Sequence, residues 1–339
     1  MWFPCPQVRL SCVGLSVEIK GFDIGNESCS FCGEASMSPF FSQTLQHSIT
    51  VEGRGLHSNS SCMVTIHPSD QPSGLRFRHA ASGVEIRALV GRVGDLSLAT
   101  TLEQDGIRFA TVEHLLSALS GLGVDHALIE VGGEELPILD GSAAPWVEAI
   151  LEAGVCELPG AVRRSVRVLK PVEVRNGEKW IKVEPYPGLR LRYTIDFDHP
   201  AIGRQSRELT LSPEKYRREL ASARTFCMEQ DIEFMRSRGL ALGGSLENAV
   251  VFGPKGPLNE SLRYQDEAVR HKMLDLVGDL ALLGAPLQGL VSAHAAGHAM
   301  HVALVKALLD DQSSWTWAAV EPLKAARHFP VGLGQAMPA

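Results

Sequence analysis

VRHKMLDLVGDLALLG, residues 269–284, is the stretch that decides the fold. Its apolar residues recur at helical spacing, and Gly284 predicts the end of the helix. On this helix His271 and Asp275 are four residues apart, so their side chains share one face about 5–6 Å apart. An imidazole and a carboxylate so placed can bind one metal ion, and Asp279, one turn further on, can orient a neighbour. The alternative is a solvated ion pair on an exposed helix.

Composition indicates an ordinary globular protein. With 339 residues the chain is long enough for two domains, and 45% hydrophobic and 21% charged residues are typical of such proteins. A net charge of -7 argues against a nucleic-acid binder, whose surface would be basic. An anionic ligand would need a local basic pocket. No apolar run approaches the roughly 18 residues of a transmembrane segment.

The seven cysteines form an odd set without the pattern of a secreted disulfide framework, which predicts a cytoplasmic protein. Four of them precede residue 40: Cys5, Cys12, Cys29 and Cys32. Cys29 and Cys32 could supply half a zinc site, but the spacing matches no familiar zinc knuckle. We expect residues 1–40 to be a poorly ordered extension, or the start of the chain to be assigned too far upstream of Met37.

The rest of the chain predicts two α+β domains, at 41–160 and 161–328, followed by a tail at 329–339. The first has predicted strands near 44–52, 62–67 and 74–79 and in HALIEVGG and ELPILDG, with helices in FATVEHLLSALSGLG and SAAPWVEAILEAG. Thr111 is the predicted N-cap of the first helix. The second has a predicted hairpin in KWIKVEPYPGLRLRYTIDF, then the opening helix, a strand in GLVSAHA and a helix in HVALVKALLDD.

Two short echoes suggest an internal duplication. GLRLR at 188–192 resembles GLRFR at 74–78, and MLDLVGDLALLG at 273–284 resembles HLLSALSGLG at 114–123. The predicted fold class is therefore α+β, with two similar domains. Each is expected to be a β-sheet backed by two α-helices, and the two are expected to pack as a sandwich with the active site between them.

The pair Glu113-His114 is the second chemical signal. A lone histidine is usually a core or solvated residue. A glutamate beside a metal-binding histidine can, however, reach a metal-bound water. Two histidines and one aspartate leave a fourth position open, as in catalytic zinc sites. The sequence has no HExxH motif, which excludes the arrangement of the familiar metalloproteases.

Several long motifs occur together and in order: TVEHLLSALSGLGVD (111–125), ELPILDGSAAPW (135–146), TIDFDHPAIG (194–203), SARTF (222–226), RGLALGGSLENAVV (238–251), VRHKMLD (269–275) and GH (297–298). They closely resemble the zinc-dependent UDP-3-O-acyl-N-acetylglucosamine deacetylases of Gram-negative bacteria. The resemblance covers about residues 44–325. It implies a Zn²⁺-dependent amidohydrolase that removes the N-acetyl group of UDP-3-O-(3-hydroxyacyl)-N-acetylglucosamine, the committed step of lipid A biosynthesis. We expect a cytoplasmic monomer whose partner is this acylated UDP-sugar.

The resemblance also implies roles for individual residues. The zinc ligands would be His114, His271 and Asp275; the catalytic residues would be Glu113 as general base, His298 as general acid, Asp279 as its support and Thr225 near the oxyanion. Phe226 and Lys272 would line the substrate site. Arg224, Arg163 and Arg164 are not part of the resemblance; they are candidates to bind the diphosphate where the sequence departs from the family, and the alternative is that they are solvated. Without the resemblance, Thr225 would be read as a helix cap and His298 as a surface residue.

An insert near 227–252 is implied to form an apolar passage for the acyl chain. Its candidate lining residues are Phe234, Met235, Leu240, Leu242 and Val250, and Gly243-Gly244 would allow a close backbone approach. The sequence departs from the family at Ala295, where lysine is frequent, and at His301, where asparagine is common. Both lie near His298, so the residues that would bind the diphosphate are the least defined part of the resemblance.

Two other functions compete with this interpretation. A binding protein of the same fold could have lost the chemistry, although every candidate catalytic residue is present. A zinc amidase could instead act on another N-acetyl sugar.

Overall fold

The computed structural model describes residues 41–319; the predicted extension at 1–40 and the tail at 329–339 lie outside them. The first half contains β1 (Phe41–Leu45), β2 (Ile49–Arg54), β3 (Ser61–His67), β4 (Leu75–His79), β5 (Glu85–Arg87), β6 (Leu102–Gln104), β7 (Ile107–Phe109), α1 (Glu113–Leu122), β8 (Ala127–Val131), α2 (Ala144–Ala153) and β9 (Val155–Val162). A 3₁₀-helix covers Val90–Arg92.

The second half contains β10 (Arg164–Val168), β11 (Val172–Asn176), β12 (Lys179–Glu184), β13 (Leu189–Asp196), β14 (Arg204–Thr210), α3 (Pro213–Glu219), β15 (Phe226–Met228), α4 (Ile232–Ser237), β16 (Val250–Gly253), β17 (Gly256–Pro257), α5 (Glu267–Ala281), β18 (Leu287–His294), α6 (His298–Asp310) and β19 (Trp315–Ala319). A 3₁₀-helix covers Glu229–Asp231. Within the described residues, no helix is both long enough and apolar enough to cross a bilayer.

The two halves repeat one strand order. The first sheet runs β2-β3-β8-β4-β5, and the second contains the equivalent order β11-β12-β18-β13-β14. In each, a late strand lies between two early ones, antiparallel to the first and parallel to the second. The echoing segments GLRFR and GLRLR lie at β4 and β13, which occupy equivalent places. The predicted α+β class with two similar sheet-and-helix units is therefore confirmed.

The terminal strands of each half also correspond. β1 pairs antiparallel with β9, and β10 pairs antiparallel with β19. On this basis we propose that the two units are domains meeting near residue 160, as the sequence predicts. Their packing as a sandwich stays a prediction.

The predicted hairpin in the second half is wrong. β12 and β13 do not pair with each other, because β18 lies between them. The hairpin partner of β12 is β11. Two alternating segments joined by a Pro-Gly stretch have the local pattern of a hairpin, but β18, far along the chain, supplies the partner that buries both strands.

Three smaller predictions in the first half also differ from the structure. The segment predicted as one strand near 44–52 is divided between β1 and β2. ELPILDG forms only one isolated bridge, because its backbone bonds are divided between two segments: the Leu136 amide donates to the Ala110 carbonyl and the Ile138 amide to the Arg54 carbonyl. Thr111 is not an N-cap: helix α1 is preceded by Val112, and Thr111 adopts a left-handed backbone with φ 59°.

The predicted insert is a β-α-β unit. β15 and β16 are parallel and are connected through α4, while β17 turns back along β16. The loop before β16 docks on the first half, where the Gly243 amide donates to the Leu56 carbonyl at 2.9 Å. A Cβ at Gly243 would overlap the Gly55 carbonyl oxygen, which confirms the predicted close backbone approach.

Helices α1 and α5 cross closely, and this crossing brings the two halves of the candidate site together. A Cβ at Gly278 would overlap the Glu113 carbonyl oxygen. One turn away, the Ser117 hydroxyl donates to the Leu274 carbonyl at 2.7 Å. The crossing therefore requires glycine at position 278.

Replacing Gly278 with alanine is expected to lower the free energy of unfolding by about 1–3 kcal/mol, because the two helices must separate. The better helix propensity of alanine offsets only about 1 kcal/mol of the clash. Urea unfolding measures the change. Gly91→Ala is the control, since a Cβ there would meet nothing within 4 Å. Equal stability of the two variants would contradict a tight crossing.

Candidate active site

Three buried side chains with metal-binding groups meet at the α1–α5 crossing. His114 comes from the first turn of α1, and His271 and Asp275 lie one turn apart on α5. One ligand atom from each lies within 4.8 Å of the others. Asp275 Oδ1 is 3.2 Å from His271 Nε2 and 3.7 Å from His114 Nε2. The helical spacing predicted for His271 and Asp275 is thus confirmed, and the tertiary fold adds His114.

The hydrogen bonds around this group fit a bound cation. His271 Nδ1 lies 3.0 Å from the Ala223 carbonyl, so it carries the ring hydrogen and leaves the lone pair on Nε2. Asp275 Oδ1, which faces that lone pair, is buried and has no hydrogen-bond partner. Two acceptors 3.2 Å apart with no hydrogen between them repel each other unless a cation lies beside them.

The protonation states favour the same conclusion. Burial, reinforced by repulsion from His271, lowers the pKa of His114 to about 3, so its imidazole is neutral. Burial also lowers the pKa of His271. Two neutral imidazoles and one carboxylate are ligands suited to a divalent metal ion with an open coordination position.

Glu113 lies beside these groups and is not one of them. Its side chain is buried, and its Oε2 accepts a hydrogen bond from the Thr100 amide at 3.0 Å. Burial raises the pKa of Glu113 to about 7, against the opposing attraction of His298. A carboxylate that exchanges its proton near neutral pH is suited to act as a general base.

His298 is the first residue of α6 and is paired with Asp279. Its Nδ1 lies 2.8 Å from Asp279 Oδ2, and its Nε2 lies 3.8 Å from Asp275 Oδ2. Burial lowers the pKa of His298, but the Asp279 charge and hydrogen bond raise it to about 9. His298 is therefore an imidazolium at neutral pH and can donate a proton from Nε2.

Thr100 is a residue of the site that the sequence did not reveal. It is fully buried, and besides its amide bond to Glu113 its hydroxyl donates to Asp279 Oδ1 at 2.6 Å. The Thr100 hydroxyl oxygen also lies 3.1 Å from His298 Nδ1. Thr100 thus connects the candidate base with the carboxylate that holds the candidate acid. It lies between short elements without periodicity, so the sequence offers no signal for it.

His301, one of the two departures from the family, is part of the buried network around Asp279. It is fully buried, and its Nδ1 lies 2.8 Å from Asp279 Oδ2. Its Nε2 lies 2.9 Å from the Tyr193 hydroxyl. Asp279, His298 and His301 also have the spacing of a metal site, but hydrogen bonds already connect all three.

Phe226 and Lys272 border the metal-binding group. The Phe226 ring packs edge-to-face against His271, with centroids 6.4 Å apart, and against Phe252 at 6.1 Å. Lys272 Nζ lies 5.9 Å from the centre of the Phe226 ring and donates to Asp275 Oδ2 at 2.8 Å. An aromatic wall and a cation therefore lie next to the candidate ligands.

Thr225 is not a helix cap. It immediately precedes β15, where its amide donates to the Gly141 carbonyl and its carbonyl accepts from the Val250 amide, both at 2.8 Å. Leu240 is partly buried in the loop after α4, where its amide donates to the Met235 carbonyl at 2.9 Å. Val250 lies in the hydrophobic core.

The arginines expected as diphosphate contacts have other partners or positions. Arg224 is buried, and its guanidinium donates to both carboxylate oxygens of Glu267 and to the Ser261 carbonyl. Arg163 pairs with Asp125. Arg164 is exposed on β10. Arg224 and Arg163 thus have ion-pair partners within the fold, and a contact of either with the diphosphate stays a prediction.

Comparisons with known proteins place this geometry in context. A family model described as LpxC, UDP-3-O-acyl N-acetylglycosamine deacetylase, matches residues 42–310. A UDP-3-O-acyl-N-acetylglucosamine deacetylase of Histophilus somni is 42% identical over 285 residues, covering 82% of this chain and 93% of that protein. Proteins of the same name are 46% identical in Anaeromyxobacter dehalogenans, covering 82% of this chain and 90% of that protein, and 41% identical in Neisseria gonorrhoeae, covering 81% and 92%.

Proposed function

The chain belongs to the UDP-3-O-acyl-N-acetylglucosamine deacetylase family, and we infer that it hydrolyses the N-acetyl group of UDP-3-O-(3-hydroxyacyl)-N-acetylglucosamine in lipid A biosynthesis. The observation that carries this inference is one buried cluster with three metal-binding groups, a carboxylate that titrates near neutral pH and an imidazolium. Amide hydrolysis needs these components: an activated water, a base to deprotonate it and an acid for the leaving amine.

We propose Zn²⁺ as the metal, held by His114, His271 and Asp275. The unpartnered Asp275 Oδ1 and the inward-facing Nε2 atoms of the two histidines support this ligand set. When bound, zinc supplies Lewis-acid chemistry, which polarises a carbonyl and makes water a stronger nucleophile near neutral pH.

The protein's own groups would move the protons. Glu113 takes the proton of the attacking water, and His298 donates from Nε2 to the oxyanion or to the leaving amine. Asp279 holds His298 in the required orientation through its Nδ1 hydrogen. Thr225 would lie near the oxyanion, and Phe226 and Lys272 would border the sugar.

The direct test is incubation of the purified protein with the acylated UDP-N-acetylglucosamine. Stoichiometric acetate and a product with a free glucosamine amine are expected by mass spectrometry. Binding of the nucleotide sugar without any release of acetate would identify the competing function, a protein that only senses this ligand.

Zinc is expected to stabilise the folded protein by mass action. A ligand that binds only the folded state adds about 2.7 kcal/mol to the free energy of unfolding at about 100 times its Kd. Metal-depleted protein should show this shift on zinc addition, with about one zinc per chain at saturation. His271→Ala should lose it, whereas His47→Ala, at an exposed position, should keep it. Full zinc occupancy in the His271→Ala protein would overturn the ligand assignment.

The pH profile of kcat is expected to be bell-shaped. Activity should rise as Glu113 loses its proton, since burial raises its pKa to about 7. It should fall as His298 loses its proton: burial opposes the charge, but Asp279 raises that pKa to about 9. A divalent cation beside both groups lowers both values, so the limbs should lie at or below these pH values. His298→Ala should change the basic limb; an unchanged limb would exclude His298 as the acid.

We also propose a cytoplasmic monomer. The three cysteines in the described part of the chain, Cys62, Cys156 and Cys227, are free thiols, as is usual in a reducing compartment. Light scattering on the purified protein tests the monomer, and a dimer mass at micromolar concentration would contradict it.

A further inference from the structure

The general acid of the proposed reaction is held at two separate points. The ring of His298 is bonded to Asp279, and its backbone follows a short loop from β18. In that loop Ala295 has a left-handed backbone with φ 47°, and its amide donates to the Thr194 carbonyl at 2.9 Å. The next carbonyl, that of Ala296, lies 2.9 Å from the Tyr193 hydroxyl. The entry into α6 is therefore fixed by two consecutive residues of β13.

His301 connects these two points of attachment. It lies three residues after His298 on α6, so both rings face the same side of the helix, with centroids 6.0 Å apart. Because Asp279 can only accept, the ring hydrogen of neutral His301 lies on Nδ1, and Nε2 is left to accept from the Tyr193 hydroxyl. The single hydrogen of the Tyr193 hydroxyl is thus shared between two acceptors, His301 Nε2 and the Ala296 carbonyl.

Asp279 is consequently held by three donors. Thr100 bonds to Oδ1, and His298 and His301 both bond to Oδ2. All these residues are buried, so no solvent replaces a lost bond. Without His301 the carboxylate could rotate, and without the Tyr193 hydroxyl both His301 and the loop before His298 would lose a partner.

We propose that Tyr193 and His301 are positioning residues that aim His298, through Asp279 on one side and through the backbone of the preceding loop on the other. The inference rests on the proposed function, since it assumes that His298 is the general acid. Neither residue forms a hydrogen bond to the candidate metal ligands, to Glu113 or to His298 itself. Their contribution should therefore appear in turnover and not in metal or substrate binding.

The test is steady-state kinetics of Tyr193→Phe and His301→Leu in the zinc-loaded enzyme. Each should lower kcat by about 10–100-fold, the usual cost of losing an orienting partner, with KM and zinc content unchanged. His301→Asn should recover part of the loss, because its amide nitrogen can take the place of Nδ1 and still donate to Asp279. Tyr216→Phe is the matched control: its buried hydroxyl donates to Ser117 and not to this network, so kcat should not change.

A double-mutant cycle separates positioning from general stability. If Tyr193 acts through His298, Tyr193→Phe should have no further effect on kcat in the His298→Ala background. An unchanged kcat in Tyr193→Phe, or the same fold-loss with and without His298, would overturn the inference. Tyr193→Phe conserves the shape of the side chain, so this result can be obtained even if His301→Leu fails to fold. An unmodified enzyme without deacetylase activity would refute the proposed function instead.

Discussion

Replacing Glu113 with alanine is expected to lower kcat by about 10²–10⁴ while the zinc content stays unchanged. Glu113 lies beside the candidate metal ligands but contributes no ligand atom to that group. Its buried Oε2 is held by the Thr100 amide, and burial raises its pKa to about 7, so it can take a proton near neutral pH. Steady-state kinetics with metal analysis of the same sample measure both quantities.

Glu113→Gln is the matched variant for this prediction. Its side-chain carbonyl can still accept the hydrogen bond from the Thr100 amide, but it cannot act as a base. A loss of kcat comparable to that of Glu113→Ala would therefore assign the effect to proton transfer and not to packing. Loss of zinc in either variant would instead make Glu113 a ligand, and an unchanged kcat would remove it from the mechanism.

The local part of the site could be predicted from the sequence. His271 and Asp275 share a helix, so a spacing of four residues is enough to place them on one face. The third candidate ligand, His114, lies on a different helix. Its position depends on the α1–α5 crossing, which in turn depends on the absence of a side chain at Gly278. The residue types suggested that these three side chains form one site, but no local spacing could place His114 beside the other two.

Other features depend on long-range contacts that no local pattern encodes. Thr100 contributes a backbone amide to Glu113 and a hydroxyl to Asp279, and neither contact follows from its neighbours in sequence. Arg224 looked available for a phosphate, but the fold pairs it with Glu267. The false hairpin has the same cause, since β12 and β13 both pair with β18.

The insert exposes an unusual amount of apolar surface. Its helix, its loop and the following turn carry four exposed large side chains: Phe234, Leu242, Leu246 and Leu258, each at least 47% accessible. Single exposed apolar residues are common, but four in one short segment indicate a surface that binds something apolar. The segment follows directly from Phe226, which packs against His271 of the candidate metal site. We propose that an acyl chain leaving the sugar meets the insert.

UDP-N-acetylglucosamine without its 3-O-acyl chain is expected to be a poor substrate, with kcat/KM lower by several orders of magnitude. Burying the chain would contribute up to about 0.8 kcal/mol per methylene, less the cost of ordering it. Because this remote binding energy also helps to hold the acetamide in position, turnover should fall as well as affinity. Parallel assays of the acylated and unacylated substrates measure the difference.

A charge placed in the insert should also affect the acylated substrate more than the unacylated one. Leu240→Asp is expected to lower kcat/KM for the acylated substrate far more than any residual activity on the unacylated one, because the carboxylate would have to be desolvated against the acyl chain. Leu169→Asp, at an exposed leucine outside the insert, is the control and should leave both activities unchanged. Comparable kcat/KM values for the two substrates in the unmodified enzyme would eliminate the acyl passage. They would favour a zinc amidase that acts on another N-acetyl sugar.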